Sequence, residues 1–151
     1  MREYKSFGAV ANALKRDLAE MDAALGVAME VSAIAVLGTV REELGTYQRE
    51  NMGDAAPWAE LKDETKIARL REGYSENDPE FRSGQLWASI EYRAEPREFY
   101  VWSTDPVAVY QELGTPTIPP RAFFAPALHR NIPSILRFVG EAIEESLSGT
   151  K

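Results

Sequence analysis

A helical apolar period at each end of the chain, two short alternating runs in its second half and a polar Gly/Pro/Asn-punctuated stretch between them predict an α+β fold. The expected architecture is a long or bent N-terminal helical region and a C-terminal helix packed on a small antiparallel β-sheet, with long loops. At 151 residues and 44% hydrophobic the chain reads as a single domain, long enough to bury about two-thirds of its extended surface. Within it, residues 1–50 read as helical and 51–83 as an extended loop region with a short helix. Residues 84–122 read as strands and a proline arm, and 123–147 as the C-terminal helix.

Phe7, Val10, Leu14, Leu18, Met21 and Leu25 recur every three or four residues, with Ser6 as a candidate N-cap. From Val27 the stripe restarts on another phase through Val31, Ile34, Leu37, Val40, Leu44 and Tyr47, with Gly26 at the join. This predicts either two helices or one long helix bent at Gly26. The second part, apolar almost all round over residues 31–37, is expected to be the central core helix. Between Glu50 and Ser83 only a short helix over 62–71 is expected; loops of this length are usually functional or disordered.

Residues 86–95 and 98–104 alternate as two antiparallel strands around the turn 94–97, with Ile90, Tyr92 and Ala94 on one side. Large apolar groups on both faces of the second strand (Phe99 and Val101 against Tyr100 and Trp102) imply that the C-terminal helix or a neighbouring subunit covers its second face. The last helix carries Leu128, Ile132, Ile135 or Leu136, Val139, Ile143 and Leu147 on one side and Glu141, Glu144 and Glu145 on the other. Pro126 fits its first turn, Pro133 is expected to kink or interrupt it, and residues 148–151 are expected to fray.

Composition excludes several classes of function. There is no cysteine, so disulfides and thiolate metal sites are ruled out, and the single histidine, His129, has no second histidine to share a metal with. Seventeen basic against 24 acidic residues give a net charge of −7, which disfavours tight binding to nucleic acid phosphates. The start of the chain lacks a signal-like apolar segment, and the most apolar run, residues 31–40, is well short of the roughly 20 residues of a membrane span. Cytoplasmic synthesis and no membrane association are expected.

No catalytic residue, cofactor site or metal site is expected. The acidic pairs Glu42/Glu43, Glu76/Asp78 and Glu144/Glu145 read as solvated rather than as an acid–base pair. Ser83-Gly84 lacks the flanking glycine of a nucleophile elbow, and Gly114-Thr115-Pro116 lacks the lysine and glycine spacing of a phosphate loop.

The segment 110–126, YQELGTPTIPPRAFFAP, reads as a rigid surface loop that places a hydrophobic anchor. Pro119 and Pro120 fix their own φ and bias the residues before them to extended conformations, with a new element starting at about Arg121. Arg121 can pair with a carboxylate of its own domain or of a neighbour, and one ring of Phe123-Phe124 reads as core, the other as free for a subunit contact. Trp58 and Trp87 are candidates for the same surface. The interface candidates are thus Trp58, Trp87, Tyr110, Ile118, Pro119, Arg121, Phe123 and Phe124.

The order of these pieces carries a resemblance. Trp58 with Leu61 and Thr65, then Ser83-Gly84-x-Leu86-x-x-Ser89-Ile90, a strand pair, Tyr110-x-x-x-Gly114 and Ile118-Pro119-x-Arg121-x-Phe123 follow one another from Trp58 towards the end of the chain. This succession resembles the virion morphogenesis proteins of long-tailed bacteriophages, which are minor tail, neck or tail-completion proteins. Ser83 stands where that pattern usually has Thr, and Ala122 where it often has Pro.

The resemblance implies a non-enzymatic structural subunit of the virion neck or tail, forming a homo-oligomeric, hexameric ring at the head-to-tail joint and contacting neighbouring connector and tail proteins. DNA would pass through its lumen without specific binding, which an acidic surface favours. A tail-terminator or head-completion subunit of the same connector is the nearest alternative. A small acidic adaptor or inhibitor binding a host partner, and a hydrolase with a converging carboxylate pair, are the others.

Overall fold

Ser6 opens the first helix. Its Oγ accepts the N–H of Ala9 at 3.2 Å, and the helix α1 then runs unbroken over Phe7–Glu43. A computed structural model describes residues 3–148 of the chain. The two-helix expectation is therefore incorrect: Gly26 lies within α1 and has no positive φ. It faces the strand turn, where an added Cβ would meet the Pro96 Cα at 3.9 Å, an ordinary contact distance that leaves room for it. Just past its end and the Leu44 cap, Gly45 turns the chain with a φ of 95° that a side chain would strain.

The hairpin strands β1 (Ile90–Glu95) and β2 (Glu98–Ser103) pair antiparallel in the register Ile90↔Ser103, Tyr92↔Val101 and Ala94↔Phe99. They lie along α1: Arg41 donates to the Ile90 carbonyl at 2.9 Å, and Arg97 at the far end pairs with Asp22 at 3.0 Å. Ile90, Phe99 and Val101 face inward, whereas Tyr100 and Trp102 face out and are exposed. The C-terminal helix does not cover that second face.

That helix, α5 in chain order, spans Phe124–Ser148 without interruption, so Pro133 does not break it as expected. Pro133 and His129, whose carbonyl loses its partner, both lie on the exposed side, where water can bond that carbonyl. Arg130 pairs with Glu43, and Asn131 donates to Thr39 Oγ1 at 2.8 Å, so α5 starts beside the end of α1 and runs back along it. Of the residues expected to fray, Ser148 is still the last residue of α5, and 149–151 lie outside the described residues.

The middle of the chain is tied to its own core. It carries α2 (Asp63–Arg71), the single turn α3 (Gln85–Ala88) and α4 (Val107–Leu113), of which only α2 is anticipated by the sequence reading. Arg69, almost fully buried, donates to the carbonyls of Ser75, Asp78 and Phe81 at 2.8–2.9 Å and so folds 72–81 back on α2. The core, centred on the fully buried Phe123, gathers Val36, Val40, Leu44, Met52, Trp58, Leu86, Ile90, Ala108 and Ala127. A 37-residue helix, a hairpin and a return helix around one such core are an α+β fold.

Candidate functional site

Trp58, Leu86, Ile90 and Phe123, spread over three separate segments of the sequence, meet in that one core. The Trp58 indole N–H donates to the Ala122 carbonyl at 2.8 Å, and Arg121 Nε donates to the Ala59 carbonyl at 3.0 Å, so the two segments are laced side by side. Arg121 also faces Glu80 at 3.5 Å, both side chains being almost fully buried. The carboxylate that Arg121 pairs with thus belongs to its own chain. Glu80 reaches it from a left-handed backbone, φ 61°, which costs on the order of 1–3 kcal/mol in a non-glycine residue.

Burial pushes the Glu80 carboxyl up to about 7 against the pull of Arg121 and Arg69. Glu43 behaves alike. It is buried, not solvated as its position in an acidic pair suggests, and burial raises it to about 7 despite Arg130. Arg130 also donates to Gln48 Oε1 at 3.1 Å and to the Glu50 carbonyl at 2.7 Å, which anchors the loop after α1. Each acid sits against a guanidinium, the arrangement of a structural clamp.

The proline segment is folded back. Gly114 (φ 74°) ends α4; Thr115 N–H donates to the Ile118 carbonyl at 2.8 Å, and Arg121 N–H to the Gln111 carbonyl at 2.7 Å. A Cβ on Gly114 would fall 2.9 Å from Pro120 N and 3.0 Å from the Ile118 carbonyl, so only glycine permits this return. Glu112 then caps the next helix: its two oxygens accept from the N–H groups of Phe123, Phe124 and Ala125 at 2.8–3.0 Å. Residues 121–123 cross Trp58 and Ala59, and α5 starts at Phe124, within one residue of the expected helix 123–147 and three after the expected start of a new element at about Arg121. A cleft of about 710 Å³ opens beside this knot, bordered by Lys62, Glu80, Gln85, Ile118 and Arg121.

The eight interface candidates divide accordingly. Trp58, Arg121 and Phe123 are buried within the chain, and Phe124 is partly buried, its ring 4.6 Å from that of Phe123. Trp87, Tyr110, Ile118 and Pro119 are at the surface, Trp87 with the Arg41 guanidinium 4.4 Å over its ring. Apolar side chains of both helical stripes are open as well. Phe7, Leu14 and Leu18 on α1, and Leu128, Ile132, Leu136 and Ile143 on α5, are exposed, Phe7 by 95% and Leu136 by 67%. α5 is tied to α1 by Asn131 to Thr39 and by Arg130 to Glu43, with Ala127 buried in the core beside Val36 and Val40 and Ile135 partly covered there.

Among the described residues no group of three His, Asp or Glu side chains is placed to hold a metal ion. By length and composition α1 as a whole, with a stretch of mean hydropathy 1.9, meets the requirement for a membrane span that its run 31–40 alone does not; core helices meet it too. Comparison with protein families, with curated proteins and with solved structures returned no match.

Proposed function

We propose that the chain is a structural subunit of a tailed-phage virion, a neck or tail-completion protein that assembles into a homo-oligomeric ring at the head-to-tail joint. The observation that carries the reading is the order of the five sequence pieces together with the meeting of residues from three segments of them in one core. Trp58, Leu86, Ile90 and Phe123 share a core, and Arg121 stitches it to Ala59, so the succession marks a single structural unit. A subunit of this kind performs no reaction. Its work is geometric, and its buried charges clamp loops.

Open apolar faces on both long helices and on the outer side of β2 fit a protein completed by its neighbours. In a cyclic ring each copy uses one patch against a different patch of the next. The net charge of −7 keeps passing DNA from adsorbing to the lumen. Electron microscopy of a lysate from a phage lacking the protein tests the assignment. Filled heads and separate or unfinished tails are expected; normal joined virions, or no heads at all, would refute it.

A further inference from the structure

We propose that the cleft beside the Arg121 knot binds an acidic peptide segment of a partner protein, with the segment's carboxylate on the buried guanidinium groups of the cleft floor. The inference goes beyond the proposed assembly and does not depend on it.

The floor holds more positive than negative charge. Arg69, Arg121 and Glu80 all line the cleft of about 710 Å³; the two arginines are each 5% exposed and the Glu80 side chain 3%. Two buried guanidinium groups thus share one carboxylate, in a chain whose net charge is −7. Neither is used up by its own chain. Arg69 donates from Nε and Nη2 to three carbonyls, while its Nη1 meets no acceptor among the described residues. Arg121 makes one short hydrogen bond, from Nε to the Ala59 carbonyl at 3.0 Å; its Nη2 is 3.4 Å from the Glu60 carbonyl and its Nη1 3.5 Å from Glu80. Buried guanidinium donors left open in this way favour an incoming anion.

The outer charges do not cancel this surplus. Glu60 is answered by Arg49 and Arg82 by Glu72, whereas Lys62, exposed where it lines the cleft, has no carboxylate partner among the described residues. The buried surplus is a single charge, and Glu80 and Asp105 border the same space. A carboxylate, with one charge and two oxygens for a guanidinium fork, therefore fits better than a dianionic phosphate.

Two further features favour a peptide as the carrier of that carboxylate. Gln111 Oε1 is buried without a hydrogen-bond donor, and its side chain lines the cleft, so a ligand that satisfies it brings an N–H as well. Leu61, Leu86, Val107 and Ile118 line the walls and offer apolar contact. An N–H, a carboxylate and apolar flanks describe an acidic residue between aliphatic ones, and a cleft of this volume takes a ligand of a few residues.

The test is an NMR titration of the full chain with N-acetyl-Leu-Glu-Leu-amide, its Gln counterpart, free glutamate and inorganic phosphate. Backbone amides and the Nε–H signals of Arg69 and Arg121 are read. The Glu peptide is expected to shift cleft signals saturably, and the neutral Gln peptide to bind at least about tenfold more weakly. Glu80→Gln removes the floor's own carboxylate at nearly unchanged volume and is expected to bind the Glu peptide at least about threefold more tightly. Lys62→Glu, at an exposed position, is expected to bind it at least about threefold more weakly. Both variants keep Arg69, which holds residues 72–81, and circular dichroism checks that they keep the fold. Equal binding of the Glu and Gln peptides, a preference for phosphate, or no change in either variant would overturn the inference. Tighter binding of free glutamate than of the Glu peptide would assign the site to a small acid and overturn the peptide.

Discussion

Replacing Glu80 by Gln should flatten the dependence of stability on pH, and the sign of that dependence tells which of two opposed effects wins in the Arg121 knot. Burial raises the carboxyl and the two guanidinium groups lower it; the balance puts it at about 7 in the folded chain against 4.5 for an ordinary carboxyl. Between those values the folded state holds a proton that the unfolded state has released. The contribution to stability is therefore fully present below 4.5 and is lost as pH rises through about 7. Taken whole, the difference is worth about 3 kcal/mol, at 1.36 kcal/mol per pH unit.

Urea unfolding at several pH values across that window measures this directly, with the urea slope checked for constancy so that midpoint shifts report stability. The wild type should lose stability as pH rises from mildly acidic to mildly alkaline, and Glu80→Gln should lose markedly less. Glu43, raised in the same direction, leaves a residual slope in the variant. If wild-type stability climbed with pH through this window, the ion pair would outweigh desolvation and the reasoning would be wrong. An unchanged slope in Glu80→Gln would refute it too.

Phe123→Ala should cost about 3–5 kcal/mol and unfold much of the protein, because Phe123 is the fully buried centre of the core; half-buried Phe124→Ala should cost about 1–2 kcal/mol. Equal losses by thermal melt would contradict this placement. Gly26→Ala should be tolerated or stabilise by up to about 1 kcal/mol, since Gly26 sits in a continuous helix with 3.9 Å to Pro96; a clear loss in a denaturation series would mean that the turn packs closer. Gly114→Ala should destabilise by about 1–3 kcal/mol, from its positive φ and the 2.9 Å approach to Pro120, and a wild-type melting temperature would refute the folded-back loop.

The parts of the fold visible in the sequence are those set by local chemistry. The cap at Ser6, the hairpin around Pro96 and Arg97, and α2 each follow from residues close in the chain. α4 had a local signal as well: the Asp105 carboxylate accepts the Val107 N–H at 2.9 Å, and Gly114 ends the helix at positive φ. It is hidden within the proline segment because the later prolines dominate a reading of composition. Gly26 misleads for the opposite reason. A glycine at a change of apolar phase reads as a break or a bend, yet α1 runs on through it, and its neighbour in space is Pro96, 70 residues away, which no local pattern records.

The candidate surface was misjudged by the same limit, and the direction of the error is informative. Periodicity measures how one-sided a helix is and says nothing about which body covers the apolar side. In α5 Leu128, Ile132, Leu136 and Ile143 are open, while Ala127 and Asn131 meet the core and α1 and Phe124 and Ile135 are partly covered there. Small residues allow two helix backbones to approach closely, and their burial releases less free energy than that of leucine or isoleucine would. With Leu128, Ile132, Leu136 and Ile143 open and Phe124 and Ile135 only partly covered, part of the hydrophobic gain available to α5 is unrealised within the monomer. A surface that closed over the stripe would realise that gain, so the open side of α5, more than the rigid proline segment, is where the proposed self-assembly is best tested.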